Sequence, residues 1–386
     1  MNSYYEPLIQ DEFTGEPPTK RLIAHIQRQR NMGKGVVGIY CGYVPFELIR
    51  SLDLVPATLC AFSNKPIKEA EAVLPANLCP LIKSSFGFIK TDTCPFFGLS
   101  DVVIGETTCD GKKKMFELIS HYKPIHVMDL PQLPDEPEAI DHWEGMIYKV
   151  KQFLEEKFHK TTNDEKIEEE IKNTNNVIKK MNEVFEYMAM ESPVVKWEEL
   201  YDIFFVLLGL SDDEMKGLLD DVLIKLEKRK KSGFHYGRDN APRIMVTGCP
   251  IGGDATKMFK IIEESGGLIV ALEACSGMKP YISLIEEDTN SPIRAIAKHY
   301  LKIPCSCMTP NQRRLDWIDT LIERFKPHAV VDVILQACHG YNIESVKVGE
   351  HINKKHELPF LKIETDYSQG DVGQIKTRIQ ALLEMC

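Results

Sequence analysis

Short apolar runs rich in valine and isoleucine alternate with helical segments along most of this chain. The runs are GVVGIYC (35–41), LVPATLC (54–60), SDVVIGETTC (100–109) and PIHVMDLP (124–131). A second set follows: RIMVTGC (243–249), LIVALEAC (268–275), HAVVDVILQAC (328–338) and PFLKIETD (359–366). Strands that alternate with helices pair in parallel, and both faces of the resulting sheet must be covered. The expected fold class is therefore α/β, with two parallel-sheet units over residues 36–131 and 241–386 and a helical lead over 1–35. Residues 132–240 lack strand signals. They carry long charged helical patterns, among them NDEKIEEEIKNTNNVIKKMNEVFEYMAM and DDEMKGLLDDVLIKLEKRKK. This stretch reads as a helical connector or insert, with EKIEEEIK as a solvated helix face. It closes at the SGFHYGRDNAPR cluster.

Eleven cysteines fall on this pattern in an unusual way. The N-terminus has no basic start followed by an apolar stretch, and no apolar run approaches the ~20 residues of a membrane span. The expectation is a cytoplasmic protein, where structural disulfides are rare and cysteines more often bind metal or do chemistry. Any one of these thiols taken alone could be an inert core residue. Together they are not scattered. Cys41, Cys60, Cys109, Cys249, Cys275 and Cys338 end strand runs, Cys79 opens a helix, and Cys305 and Cys307 precede one. In open parallel sheets, ligands bind beyond the carboxyl ends of the strands. Nine cysteines are thus expected on that edge, Cys94 on the opposite edge, and Cys386 at the terminus as a bystander.

The chain has no C-x2-C pair, only Cys305-Ser-Cys307. A thiolate-rich edge without close pairs and without matching histidines fits iron–sulfur better than zinc, though it matches no ferredoxin spacing. Buried thiols, zinc and redox disulfides stay open as alternatives. Two loops imitate phosphate binders. GETTCDGKK (105–113) has five residues between its glycines and Lys113 where a Walker loop needs Ser or Thr. Its lysines read as a helix first turn that could face an anion. TGCPIGGD (247–254) is better read as a tight turn. A nucleotide that powers this protein is expected on another chain. Forty-seven basic against fifty-seven acidic residues leave a net charge of −10, which argues against a nucleic-acid partner.

Polar groups beside the thiols are the catalytic candidates. His339 could donate a proton next to a reducing centre, or orient a ligand by a hydrogen bond. Glu106, Asp110 and Gln336 also flank the edge. Glu364 and Asp366 end the last strand, where they could line a pocket or cap the following helix.

Several long segments resemble the 2-hydroxyacyl-CoA dehydratase family, component D. They are LPANLCPLIKSSFGF (74–88), SDVVIGETTCDGKKKMFEL (100–118), RIMVTGCPIGG (243–253), VVDVILQACHGYNIES (330–345) and IETDYSQGDVGQIKTRIQALLE (363–384). The extra cysteines at 41, 60, 275, 305 and 307 resemble those of the double-cubane cluster proteins, single-subunit homodimeric relatives. The resemblance implies two flavodoxin-like domains with an iron–sulfur cluster between them. It implies that Cys79, Cys109 and Cys338 hold one [4Fe–4S] cubane. A double cubane, [8Fe–9S], needs six thiolates. Pseudo-symmetry between the domains would add Cys41, Cys275 and Cys305 or Cys307, leaving Cys60 and Cys249 as spares. The implied partner is a separate ATP-hydrolysing [4Fe–4S] activator that injects low-potential electrons, in an anaerobic host. The implied activity is reduction of a small molecule by an ATP-dependent, activator-coupled oxidoreductase. The alternatives are a lyase, the [4Fe–4S] subunit of a 2-hydroxyacyl-CoA dehydratase acting through a ketyl radical, and a non-catalytic electron-transfer protein.

Overall fold

The computed structural model describes residues 6–10, 12–208, 210–238 and 240–386. Residues 1–5 and 11 of the N-terminal segment, and 209 and 239 of the connector, lie outside them. The first unit opens with helix α1 (Pro18–Asn31), then strand β1 (Val36–Ile39), α2 (Phe46–Ser51) and β2 (Val55–Thr58). It continues through α3 (Ile67–Ala70), α4 (Pro80–Lys90), α5 (Pro95–Leu99), β3 (Val102–Glu106), α6 (Asp110–Ile119) and β4 (Ile125–Met128). Four helices follow: α7 (Ala139–Phe158), α8 (Asp164–Ala189), α9 (Trp197–Leu207) and α10 (Asp212–Lys231). The second unit holds β5 (Arg243–Gly248), α11 (Lys257–Glu264), β6 (Leu268–Glu273), α12 (Pro292–Tyr300) and α13 (Gln312–Phe325). It ends with β7 (Ala329–Leu335), α14 (His339–His351), β8 (Phe360–Thr365) and α15 (Val372–Leu383).

The strands form two four-stranded, all-parallel sheets, ordered β2-β1-β3-β4 and β6-β5-β7-β8. The two orders are the same permutation, so both units are flavodoxin-like and equivalent loops recur. The central strands β1, β3, β5 and β7 are buried along nearly their whole length, which is why they read as unbroken Val/Ile runs. The edge strands β4 and β8 are only partly covered and carry His126 and Lys362.

The connector forms part of the core. Trp143, Ile147, Val150 and Leu154 of α7 pack against the first sheet in one cluster with Ile293, Ile296 and Tyr300 of α12. Met181, Phe185 and Met188 of α8 and Leu200 and Ile203 of α9 join the cluster around the second sheet. Helix α9 has no charged run to announce it. It is the apolar segment WEELYDIFFVL, and it lies between α8 and α10 as a buried element.

TGCPIGGD runs from the end of β5 through a short loop into a 3-10 turn, Gly253–Thr256, and it clasps the two units. Asp254 accepts hydrogen bonds from Ser63 Oγ (3.1 Å) and the Asn64 backbone N–H (2.7 Å), while its own N–H donates to the Phe62 carbonyl. Gly248 starts the turn at φ +112°, and a Cβ there would run into the Val333 carbonyl. No side chain tolerates both. We expect Gly248→Ala to destabilise the protein by about 2 kcal/mol or more in urea unfolding. A change within 0.5 kcal/mol of wild type would contradict this account of the turn.

Candidate metal centre

Four helices begin on a cysteine, and three of these lie at the carboxyl edges of the sheets. Cys79 is the N-cap of α4, Cys109 of α6 and Cys338 of α14. The first turn of a helix leaves backbone N–H groups unpaired and carries the positive end of the dipole. Each of these sulfurs meets such groups: Leu81 and Ile82 for Cys79, Lys112 for Cys109, Tyr341 for Cys338. Pro80 suits the first helical position because it has no N–H to leave unpaired. Cys109 and Cys338 occupy equivalent loops, three residues beyond the ends of β3 and β7.

These positions converge. A cavity of about 640 Å³ opens where the carboxyl edges of the two sheets meet, and eight of the eleven cysteines line it. They are Cys41, Cys60, Cys79, Cys109, Cys275, Cys305, Cys307 and Cys338. All are free thiols. Six of them fall into two groups, and the buried Cys249 joins the first. In one, the thiols of Cys79 and Cys249 donate to Cys338. In the other, Cys41, Cys275, Cys305 and Cys307 are mutual neighbours. Cys109 faces both Cys338 and Cys305 and so stands between the groups. The hydrogen bonds from Cys249 and Cys79 pull the Cys338 thiol down to about 3, and one from Cys307 pulls Cys305 down to about 6. Burial pushes the Cys41, Cys109 and Cys275 thiols up.

The remaining three cysteines lie off the cavity. Cys249 is fully buried and accepts the Leu335 N–H at 3.3 Å, behind Cys338. Cys94 caps α5 at the other end of β3, and Cys386 is terminal. Cys60 lines the cavity, but its thiol donates to the Tyr40 carbonyl at 2.6 Å and burial raises it to about 11.

Two lysines face the thiols. Lys112 Nζ donates to Glu106 at 2.8 Å, and Lys279 Nζ lies 2.9 Å from Glu273. Both lysines line the cavity, and all four side chains are almost wholly buried. Burial disfavours the Lys112 cation, but Cys41, Glu106 and Cys60 more than offset it and raise its pKa well above the usual value. Lys279 also donates to the Tyr341 hydroxyl at 3.1 Å, and Arg314 completes this network against Glu273 and Glu344. A buried ammonium is costly unless anions face it.

His339 is exposed and lies on the cavity, at the start of α14. Glu106 does not line the cavity. It holds Lys112 with one oxygen, and its other oxygen has no hydrogen-bond partner among the described residues. Asp110 is exposed at the rim and pairs with Lys113, while Gln336 is exposed and off the cavity. Glu364 accepts from Asn342 and Asp366 from the Ser368 N–H, both away from the thiols, and the N-cap position of α15 is Asp371. Lys279 and Glu273 carry no motif that sequence reading could use beyond a glutamate at a strand end and a lysine six residues on. The same offset separates Glu106 from Lys112. The opposite wall is apolar and comes from the connector, through Val177 and Ile178 of α8 and Tyr201 and Phe204 of α9.

The family model for the 2-hydroxyglutaryl-CoA dehydratase D-component matches residues 41–386, which includes every cavity cysteine. The chain belongs to this D-component family. It is also 39% identical over 381 residues to an Escherichia coli (strain K12) protein described as "Putative dehydratase subunit YjiM". The match covers 98% of each chain. Among the described residues of this D-component, no helix is long and apolar enough to cross a membrane.

Glu106 is wholly buried, and Lys112 is the cation paired with it. We expect Lys112→Met to cost roughly 3–5 kcal/mol in urea unfolding of the metal-free chain. Adding Glu106→Gln should recover most of that loss. A cost below 1 kcal/mol for the single change would contradict the pairing.

Proposed function

We propose that this D-component family member is an iron–sulfur reductase. Its cavity would hold a double-cubane [8Fe–9S] cluster charged by a separate ATP-hydrolysing [4Fe–4S] activator, and would reduce a small molecule. The observation that carries this reading is one cavity lined by eight free thiols, six of them in two groups with Cys109 between. The donor set fits the group. It is rich in thiolate, poor in histidine, and faced by two buried cations. Cys79, Cys109 and Cys338 would hold one cubane. Cys41, Cys275 and either Cys305 or Cys307 would hold the other, with Cys60 and Cys249 in reserve. When bound, such a cluster supplies electrons at low potential, one at a time.

The chain's own residues would do the rest. Lys112 and Lys279 offset the negative charge that accumulates in a water-poor cavity. The α8–α9 wall excludes water and leaves room for a small substrate. His339, exposed at the cavity, can take a proton from solvent on its imidazole and deliver it inward. Glu106 acts through Lys112 by holding the ammonium in place.

The family description supports a second reading, a dehydratase subunit, for which we propose a single [4Fe–4S] cubane. Iron content separates the two. Anaerobically purified protein should contain about eight iron atoms per chain under the first reading and about four under the second. Cys79→Ala, Cys109→Ala and Cys338→Ala should each lower the iron content, and Cys94→Ala should leave it unchanged. Normal iron in all three of the first variants would overturn the assignment. Iron that is reduced by activator and ATP without turnover of any acceptor would indicate an electron relay instead.

A further inference from the structure

Away from the thiols, Asp319 of α13 meets two imidazoles. His351 Nε2 lies 2.6 Å from Asp319 Oδ1, and His356 Nε2 lies 2.5 Å from the same oxygen. The three ligand atoms all fall within 4.8 Å of one another. Asp319 is 8% exposed, and the two histidine side chains are 17% and 13% exposed. None of the three lines the thiol cavity. From His339 to His351, α14 runs about 18 Å away from it.

The backbone is built to bring these imidazoles together. In an α-helix a residue five positions on points about 140° away from the first. Here α14 passes directly into a π-helical turn, Ile352–His356. Its wider winding bonds each residue to the fifth one on, so His356 returns to the face of His351. Such turns are rare and concentrate at functional sites. The centroids of the two rings are 5.9 Å apart. The site also sits at the negative end of α14, and Asp316 and Glu323 flank it on α13. Lys355 and both imidazoles converge on the Asp319 carboxylate.

We propose that Asp319, His351 and His356 form a binding site for a borderline divalent transition-metal ion, of which zinc is the simplest case. Two neutral imidazoles and one carboxylate are a common three-protein-ligand set for zinc, and they leave a fourth position for water or an added ligand. With metal–ligand bonds of about 2.0–2.1 Å, tetrahedral ligands lie about 3.3 Å apart. The two Asp319–imidazole separations would therefore widen by less than about 1 Å. Lys355 is the competing cation. Its Nζ lies 2.7 Å from Asp319 Oδ2, the oxygen that neither histidine uses, and the side chain is half exposed and free to swing away.

The test is calorimetric titration of Zn2+ into protein purified anaerobically with its iron retained and then passed over a weak chelating resin that removes only loosely held divalent ions. Wild type should bind one equivalent that His351→Ala and His356→Gln lose or bind at least ~10-fold more weakly. The glutamine can still donate to Asp319, so His356→Gln tests ligation while sparing the fold. Lys355→Met should bind zinc more tightly than wild type. No zinc uptake by wild type would overturn the proposal. Equal uptake with equal affinity in wild type and both histidine variants would also overturn it, because the ion would then be held elsewhere.

Discussion

In a parallel sheet every strand ends at the same edge, so a residue placed just beyond a strand is delivered to one face of its unit. This chain applies that rule twice, with the same strand order each time. Cysteines follow β1, β2 and β3 in the first unit and β5, β6 and β7 in the second. Turning the two edges toward one another gathers eight thiols around one cavity. The Asp254 clasp on Phe62–Asn64 and the packing of α7 against α12 hold the edges in that relation.

The electrostatics follow from the gathering. Many potential anions in one low-dielectric space repel one another, and each is costly to ionise. Three devices answer this. Helix N-termini at Cys79, Cys109 and Cys338 present backbone N–H groups. Thiol–thiol hydrogen bonds pull the Cys338 and Cys305 thiols down. Lys112 and Lys279 face the thiols, each fixed by a buried glutamate. The same devices suit a bound polyanionic cluster, so the protein environment and the proposed cofactor make one consistent demand.

The sequence made the sheets legible because buried parallel strands need unbroken apolar runs, and all eight strands lie within those runs. The cavity edge was legible for the same reason, since strand ends can be located. Three features were not legible. Helix α9 is an apolar segment without punctuation that sets it apart from a loop. The role of Glu106 depends on Lys112, which looked like an ordinary first-turn lysine until its burial was known. The Asp319 site depends on a π turn, and a His-x4-His spacing carries no metal signal on an ordinary helix. In each case the missing information was tertiary packing or backbone winding, and local pattern does not encode either.

The central claim is that the cavity between the sheet edges is an iron–sulfur site with two thiolate groups. Anomalous diffraction at the iron edge from anaerobically grown crystals tests it most directly. The account predicts two adjacent groups of four iron positions in the cavity. One group would be bounded by Cys79, Cys109 and Cys338, and the other by Cys41, Cys275 and Cys305 or Cys307. Iron positions absent from the cavity, or found only outside it, would contradict the account.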